Sequence, residues 1–571
     1  MRLKTTYSKN AKHYSIIKDI DNNGKRTTAI VEILGNDDQV KARAGTQDPM
    51  EWIEDYIKRL NKLEKDENRV VSLNLNPKKE ITKDKQLSYN AGYLFLQKIY
   101  YKLGIKHICS DISEKYKFAY DLNSILSNLI YSRIIYPTSK LGTYQLSKNF
   151  LEQPNFELQH IYRSLEIIAK ENDYIQSELY KNSLKYSKRN DAVLYYDCTN
   201  FFFEIEQEEG LKQYGHGKQH QPTPIVEMGL FMDSDGIPLA MSIHPGNTNE
   251  QITLKPLEEK ILKDFGMSKF VVCTDAGLAS IANRKFNNQK NRAFITTQSI
   301  KKLKGFLKDW ALDNKGWKLT GSSKTYDISE LEETEENQNK HFYKERWINE
   351  NDLEQRLIVT YSIKYRNYQR NIRSEQIERA QKLVATNPGK VGKVRQNDYK
   401  RFISKIDVTT NGELAEETIY SLDKNLICEE EKYDGFYGVC TNLEDEAARI
   451  IEITRKRWEI EECFRLLKSE FKTRPVYLSR DDRIVAHFIT CFLAIVVYRY
   501  LEHELDEAFT ASQIIKTLRG YNVREFFGDG YVPTYTRTDI VDLLHNKFGF
   551  RTDFEIVSYK KMKNIFKSTR K

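Results

Sequence analysis

The chain has 571 residues, of which 40% are apolar and 30% charged, enough for a soluble core and, at this length, for three or four domains. Its net charge of +9 is mildly basic and compatible with a protein that contacts a polyanion over part of its surface. The seven cysteines form no Cys-x-x-Cys pair, which argues against a zinc site and for reduced thiols in the cytosol.

No segment of the sequence indicates a membrane protein. The first residues, MRLKTTYSKNAKHY, lack the apolar core of a signal peptide. The longest apolar run, Phe488–Val497, is too short to span a bilayer and is typical of a buried core helix. We therefore expect a cytoplasmic protein without a membrane partner.

The first 190 residues predict a small β unit followed by helices. Two strand-like segments flank the turn Asp21–Gly24, in which Asn-Gly is a strong hairpin signal, and a charged helix follows at about Pro49–Asp66. From about Ala91 to Arg189 the chain reads as helical, with breaks at Pro137 and Pro154. This basic helical segment is either DNA-binding or a plain helical bundle, and its composition favours neither.

At Asp191 the pattern changes to dense strand signals. AVLYYDCTNFFFE reads as a strand, two more strands flank the turn Asp233–Gly236, and a helix at about Glu250–Phe265 precedes the strands KFVVCTDAG and RAFITTQ. Strands followed by helices in this way predict an α/β fold.

From about Lys301 to Glu431 the composition turns polar. Leu357–Tyr365 alternates as a half-buried strand does, and strand and helix patterns of the α/β block resume after this segment, so it reads as an insertion. The chain then divides into an N-terminal β/α unit (1–85), a helical domain (86–190), a first part of the core (191–300), a β-rich insertion (301–430), a second part of the core (431–505) and a C-terminal basic region (506–571).

Arg455–Lys468 predicts a helix with an unusual charged face. Its apolar residues recur at three-to-four spacing, and Asn442 or Thr441 would start the helix, the latter in a capping box with Glu444. At about 100° per residue, four charged residues share an arc of roughly 80°. They are Arg457, Glu461, Arg465 and Lys468. Taken alone, this pattern is typical of a solvated face with i,i+4 ion pairs.

Two aspartates far upstream change that interpretation. Asp197 ends one apolar run and Asp275 follows another, so each is expected at the carboxyl end of a buried strand, where open α/β sheets place their sites. Considered alone, an aspartate at such a position more often starts a loop. Together with Glu461 they offer the carboxylates of two-metal phosphoryl transfer, because Mg²⁺ prefers oxygen ligands. The cations beside the glutamate would then meet the phosphates that flank the reacting one.

These residues give the chain a resemblance to bacterial insertion-sequence transposases of the DDE class, in the IS-four superfamily and close to its IS sixteen-thirty-four group. The superfamily signature is Tyr, two residues, Arg, three residues, Glu, six residues, Lys. Arg457, Glu461 and Lys468 are in register with it, whereas Thr454 stands at the tyrosine position. LYYDCTN and VVCTDAGLAS resemble the segments of the two aspartates, and HPGNTNE and RPVYLSRDDRIVAHFITCFLA resemble other blocks of the group.

The resemblance implies an RNase H-like core interrupted before the glutamate helix by a mainly β insertion. The catalytic and metal-binding residues that it implies are Asp197, Asp275 and Glu461, with two Mg²⁺ or Mn²⁺ ions as cofactor. The candidates for DNA contact are Arg457, Arg465, Lys468 and Lys218. The expected partners are double-stranded DNA, as terminal inverted repeats and as target, and a second copy of the chain when DNA is bound.

Other residues carry weaker signals. Four histidines are scattered and read as loop or core residues rather than as metal ligands, namely His216, His220, His244 and His487. Trp458 reads as a core residue more readily than as one that stacks on a base. Lys218 is as readily a plain exposed lysine as a DNA contact.

The leading hypothesis is a transposase that cuts DNA at the ends of its parent element and joins the freed 3′ hydroxyl to target DNA. Two alternatives stay open. One is an RNase H-like nuclease without strand transfer, and the other is a catalytically inactive DNA-binding protein descended from a transposase. The three carboxylates argue against the second alternative, whereas Thr454 keeps it open.

Overall fold

The computed structural model describes residues 1–8, 12–22, 25–67, 77–78, 80–215, 217, 222–322, 324–386, 398–408, 417–526 and 529–571. These residues form two compact units, Met1–Lys85 and Gln86–Lys571.

The described part of the first unit is an antiparallel sheet with two helices. Its elements are β1 (Arg2–Tyr7), β2 (Lys12–Asn22), β3 (Lys25–Asn36), α1 (Asp37–Ala44) and α2 (Pro49–Glu67). β2 and β3 form the predicted hairpin, in which Asn22 pairs with Lys25, and the two turn residues between them lie outside the described residues. Ile16, Leu34 and Ile53 are buried in the core of this unit.

The second unit begins with a short strand that the sequence did not predict, and the predicted run of helices follows. They are β4 (Ser88–Asn90), α3 (Tyr93–Lys102), α4 (Ile105–Tyr116), α5 (Leu122–Ile135), α6 (Lys140–Ser147), α7 (Leu158–Lys170) and α8 (Asn172–Tyr186). Pro137 lies between α5 and α6 and Pro154 between α6 and α7, because proline has no backbone N–H to continue a helix. α5 is buried over almost its whole length and therefore lies at the centre of the bundle.

A mixed sheet follows the bundle. Its first elements are β5 (Val193–Phe202), β6 (Ile225–Met232), β7 (Pro238–Pro245), α9 (Leu254–Asp264), β8 (Phe270–Thr274), α10 (Ile281–Phe286) and β9 (Arg292–Gln298). The strand order is β9-β8-β5-β6-β7, with β6 antiparallel to β5 and β7, and β8 parallel to β5 and β9. Antiparallel pairing of the first three strands followed by two parallel ones is the RNase H-like arrangement, so the expected fold class is confirmed.

The segment that reads as an insertion extends the same sheet. Its elements and the strand after it are α11 (Gly305–Leu312), β10 (Trp317–Leu319), β11 (Thr325–Tyr326), α12 (Glu335–Gln338), β12 (Phe342–Glu350), β13 (Leu353–Tyr361), α13 (Ile363–Thr386), β14 (Ile403–Val408), β15 (Glu417–Leu422), α14 (Lys424–Glu431) and β16 (Phe436–Thr441). Beyond β9 the order continues as β16-β13-β12-β10-β11, all antiparallel, so that ten of the described strands share one sheet.

The prediction of a half-buried strand that extends through Tyr365 was wrong, both in the degree of burial and in the residue at which the strand ends. β13 is buried over most of its length, because its side chains pack into two hydrophobic clusters, with Leu357 and Val359 in one and Ile358 in the other. It ends at Tyr361, and α13 begins at Ile363.

The chain then forms α15 (Ala447–Arg455), α16 (Trp458–Ser469) and α17 (Asp481–Glu504). Among the described residues, α17 is the one helix long and apolar enough to cross a membrane, but 94% of its most apolar window is buried inside the protein. Phe488 of α17 contacts Phe201 of β5, with ring centroids 5.0 Å apart. The expectation of a buried core helix at Phe488–Val497 is therefore confirmed.

The C-terminal residues pack against the helical bundle. Their elements are α18 (Ala511–Gly520), β17 (Asn522–Phe526), β18 (Gly530–Pro533), α19 (Asp539–Phe548) and α20 (Tyr559–Thr569). β17 pairs with β4, and α20 packs against α3. The first and last parts of the second unit thus share one core, since β4 and α3 precede the sheet in sequence.

Candidate active site

Asp197 lies inside β5, on the face of the sheet that α16 covers. Residues of even number on β5, such as Tyr196, pack with α9 on the opposite face. On the Asp197 face, the Tyr195 hydroxyl donates to the Ile453 carbonyl at 2.9 Å, and the Lys468 ammonium donates to the Thr199 hydroxyl. Asp197 therefore lies between two contacts with the α15–α16 segment, and it is only 8% exposed.

The prediction that Asp197 ends its strand was wrong, because β5 continues to Phe202. What ends near Asp197 is the parallel pairing with β8, whose last paired residues are Tyr195 and Cys273. Asp197 and Asp275 each lie two residues beyond this last pair, Asp197 still within β5 and Asp275 in the loop that follows β8.

Asp275 directly follows β8, as predicted. Its Oδ1 accepts the N–H of Leu278 at 3.0 Å, and its carbonyl accepts the Thr296 hydroxyl at 3.2 Å. These contacts hold the loop after β8 against β9. The turn Asp275–Gly277 is partly exposed.

Glu461 lies in the first turn of α16 and is 57% exposed at its side chain. The single helix predicted from Arg455 is two helices, because α15 ends at Arg455 and Arg457 caps the start of α16. The predicted cap at Thr441 is also wrong: that residue ends β16, and its hydroxyl donates to the Phe294 carbonyl at 2.7 Å.

Arg457 joins the three carboxylates. Its Nη2 donates to Glu461 Oε1 at 2.8 Å. Burial lowers the pKa of the Arg457 guanidinium, but the negative charges of Glu461, Asp197 and Asp275 outweigh it and raise that pKa above its usual value. All three carboxylates therefore lie close enough to act on one cation.

The ligand oxygens of the three candidate carboxylates do not all lie within 4.8 Å of one another. Among the described residues, the one group of three acids or histidines with ligand atoms all within 4.8 Å of one another is Asp542, His545 and Asp553. Two arginines already neutralise that group, since Arg551 lies 2.6 Å from Asp553 and Arg537 2.7 Å from Asp542. The oxygens of the candidate site are more widely spaced than those of that group.

The other residues predicted to contact DNA differ in their position relative to the carboxylates. Lys468 lies on the Asp197 face, at Thr199 and 5.4 Å from the Phe201 ring. Arg465 instead pairs with Glu462, three residues earlier on α16, and is not brought to the carboxylates. Lys218 lies outside the described residues.

Beside Glu461 there is a cavity of about 340 Å³. Thr454, at the position of the signature tyrosine, lines it, with its hydroxyl donating to the Ile450 carbonyl at 2.8 Å. Trp458 also lines the cavity and is 61% exposed, so the prediction of a core residue was wrong. Tyr437, a further neighbour of Arg457, was missed because β16 gives no local signal that one of its side chains faces the site.

His487 is a buried core residue, as predicted, with Nε2 3.1 Å from the Thr473 carbonyl. His244 is partly buried, with Nε2 2.9 Å from the Ser242 hydroxyl. His216 and His220 lie outside the described residues.

A search of curated proteins gave no match to this chain. Among solved structures, the chain is similar to a piggyBac transposase seen by cryo-EM as a synaptic complex with hairpin DNA, at 8% identity and a TM-score of 0.36, over 83% of this chain and 85% of that one. The family model of the transposase DDE domain matches residues 191–497, more than half of the chain and a span that contains both aspartates and the glutamate. The chain therefore belongs to the family of proteins with a transposase DDE domain.

Proposed function

We propose that this chain is the transposase of a bacterial insertion sequence, in the IS-four superfamily and its IS sixteen-thirty-four group. It cuts DNA at the element ends and joins the freed ends to target DNA. The observation that carries the proposal is the ion pair of Glu461 with Arg457, whose guanidinium is also acted on by the negative charges of Asp197 and Asp275. Membership of the DDE transposase family supports the same activity.

The carboxylates fit divalent metal, because they offer only the oxygen ligands that Mg²⁺ and Mn²⁺ prefer. Two bound ions would activate the attacking hydroxyl and stabilise charge on the phosphate. Glu461 Oε1 accepts from Arg457, and a carboxylate can bind a metal ion through its second oxygen while this pair persists. The guanidinium has five N–H donors, so it can contact a DNA phosphate as well.

Lys468 supports the same reading from the other side of Asp197. Its ammonium is held at Thr199, two residues along β5 from Asp197. A lysine beside Asp197 is placed to contact a backbone phosphate near the reacting one. Such a contact positions the DNA without reading its sequence. In this proposal the substrates are the terminal inverted repeats and target DNA in the bacterial cytoplasm, and two copies of the chain act together on paired ends.

The decisive experiment uses duplexes that carry the inverted repeats found in the DNA flanking the gene. Purified protein is incubated with labelled ends, a target plasmid and Mg²⁺ or Mn²⁺, and cleavage and joining are measured separately. Cleavage with joining supports the transposase. Cleavage alone would identify a nuclease, and specific binding without cleavage would identify an inactive DNA-binding protein. Asp197→Asn, purified identically, controls for contaminating nuclease.

A further inference from the structure

A second basic site lies between the helical bundle and the loop that follows α16. It is a cavity of about 310 Å³, and none of the described residues that line it is a carboxylate. Its walls carry four cationic side chains, those of Arg133, Lys140, Lys472 and Arg474. A partly enclosed space with cations and no acid concentrates positive potential and favours an anion.

Lys140 is the cation in this cavity that most needs a partner. It begins α6 and is 5% exposed, and its Nζ has no hydrogen-bond partner among the described residues. Burial, together with the nearby charge of Arg133, lowers the pKa of Lys140 to about 7. A buried amine without a partner is costly, and an anion in the cavity would supply the missing interaction.

Arg133 forms part of the cavity wall. Among the described residues, no carboxylate forms an ion pair with its guanidinium. Its Nη1 donates to the Phe471 carbonyl and its Nη2 to the Thr138 carbonyl, both at 3.1 Å, so it fastens the loop after α16 to the bundle. Its Nε has no partner among the residues described. His487 completes the wall in neutral form, because burial and the charges of Arg133 and Lys140 lower its pKa well below its usual value.

Glu166 pairs with arginines near the cavity and not with the cations that line it. Glu166 pairs with Arg480 at 3.0 Å and with Arg483 at 3.2 Å. Arg483 in turn lies 5.2 Å from the ring of Tyr162, which lines the cavity. These ion pairs leave the Glu166 carboxylate engaged by two arginines rather than by Lys140.

The cavity is tied to the strand that carries Asp197. Val476, in the loop after α16, donates its N–H to the Phe202 carbonyl at 3.3 Å, and the Arg474 guanidinium lies 5.5 Å from the Phe202 ring. Phe202 is five residues beyond Asp197 on β5, or about 17 Å at the usual rise of a strand. Along a DNA duplex the same distance corresponds to about five base pairs.

We propose that this cavity binds a backbone phosphate of the DNA substrate, a few base pairs from the bond cut at Asp197 and Asp275. Lys140 and Arg474 contact the phosphate, and Arg133 holds the wall in place. The proposal rests on the proposed function, which defines the bond that is cut. Free phosphate has the same chemistry, so the experiment needs an arm for each source.

Lys140→Met tests the contact, with Lys181→Met as its matched control. The Lys140 variant should stay folded, since it removes a buried amine that has no partner. Lys181 is an exposed lysine that pairs with Glu178 at 2.9 Å, away from the cavity. We expect Lys140→Met to bind element-end duplex about tenfold more weakly, the value of one hydrogen bond to a charged group. Its salt slope should fall by about one, and Lys181→Met should show neither change.

Single methylphosphonates locate the phosphate, because they remove one backbone charge at a known position. In duplexes neutralised in turn at about three to seven nucleotides from the cleaved bond, one position should weaken binding of the parent protein. The same position should have no further effect on Lys140→Met, since both changes remove one contact. An unchanged salt slope in Lys140→Met, or the same methylphosphonate profile in both proteins, would overturn the proposal.

Inorganic phosphate is the second arm. If it raises the Tm of the parent but not of Lys140→Met, and no methylphosphonate position affects binding, the cavity takes free phosphate and the DNA subsite is wrong. A parent protein that shows the methylphosphonate effect but neither cuts nor joins DNA would refute the proposed function while retaining the subsite.

Discussion

Arg457 and Glu461 form an ion pair across one turn of α16, with Nη2 2.8 Å from Oε1. The guanidinium side chain is 21% exposed and the carboxylate 57%, so the pair bridges the interior of the site and the solvent. Because Asp197 and Asp275 act on the same guanidinium, Arg457 offsets the mutual repulsion of three carboxylates before metal binds.

Glu461→Gln should leave the protein folded and remove its chemistry. An exposed i,i+4 pair contributes well under about 1 kcal/mol, so the free energy of unfolding should change little. Glutamine has no charge to hold metal, and cleavage and strand transfer with Mg²⁺ or Mn²⁺ should be almost completely lost. Binding of element-end DNA should be at least as tight as in the parent, because one negative charge near phosphate is gone.

Glu462→Gln is the matched control, since Glu462 is the next residue of α16 but pairs with Arg465. It should keep parent activity. Asp197→Asn and Asp275→Asn should be as inactive as Glu461→Gln, and combining them should add nothing, because the three serve one assembly. If Glu461→Gln cleaved DNA near the parent rate, Glu461 would serve only in a surface ion pair and not in catalysis.

Arg457→Ala should weaken DNA binding on all sequences alike and reduce the salt slope by about one. Lys468→Ala should do the same, since both cations lie beside Asp197. Arg465→Ala should leave the slope unchanged, because Arg465 is held by Glu462 on the outer side of the helix. Fluorescence anisotropy at several salt concentrations measures all three slopes. Equal slopes in the parent and in the Arg457 and Lys468 variants would mean that these cations serve only the protein.

Asp233→Asn should destabilise the sheet by about 3–5 kcal/mol, the cost of breaking a buried ion pair. Asp233 Oδ2 lies 2.6 Å from Arg189 Nε, and the two side chains are 0% and 1% exposed. Asp233 Oδ1 also accepts the N–H of Ile237 at 2.9 Å, which closes the β6–β7 turn. Urea unfolding measures the change, with Asp235→Asn in the same turn as a control that should shift stability by less than about 0.5 kcal/mol. A similar small shift in Asp233→Asn would contradict the pairing.

The C-terminal part of the fold should lose stability as the pH falls from about 6.5 to 4. Burial lowers the pKa of His545 to about 4, although Asp553 opposes the shift. In the unfolded chain the pKa is about 6.5. Between these values the unfolded state binds a proton that the folded state does not, which destabilises the protein by up to roughly 3 kcal/mol.

His545→Gln should flatten that pH dependence relative to the parent. Urea unfolding at pH 7, 5.5 and 4.5 isolates the effect of His545, because Asp553 remains charged over this range. Its hydrogen bond with Arg551 lowers the Asp553 pKa to about 2, so its contribution is lost only at lower pH. Parallel stability curves for the parent and His545→Gln would show that His545 titrates normally in the folded protein.

Much of the secondary structure and the candidate chemistry follows from local sequence. The apolar run before Asp275 predicts β8 because a buried strand shows no polar alternation. The spacing of Arg457, Glu461 and Lys468 predicts one helix face, and the first two residues do meet across a helical turn. These predictions succeed because side-chain periodicity is a property of a few consecutive residues.

The sequence by itself determined most of the strands and helices and which carboxylates are candidates. Contacts between distant segments decided where a helix breaks, which side chains are exposed and where a cavity lies. The break between α15 and α16 arises because α15 packs beside β9 and α16 on β5, so the chain must turn between them. The exposure of Trp458 follows from its place at that turn. At the basic cavity, Arg133 of the bundle donates to the carbonyl of Phe471, a contact between distant segments that no local pattern could show. Side-chain periodicity reports which way a residue faces within its own element, but the element that covers it is chosen by packing of the whole chain.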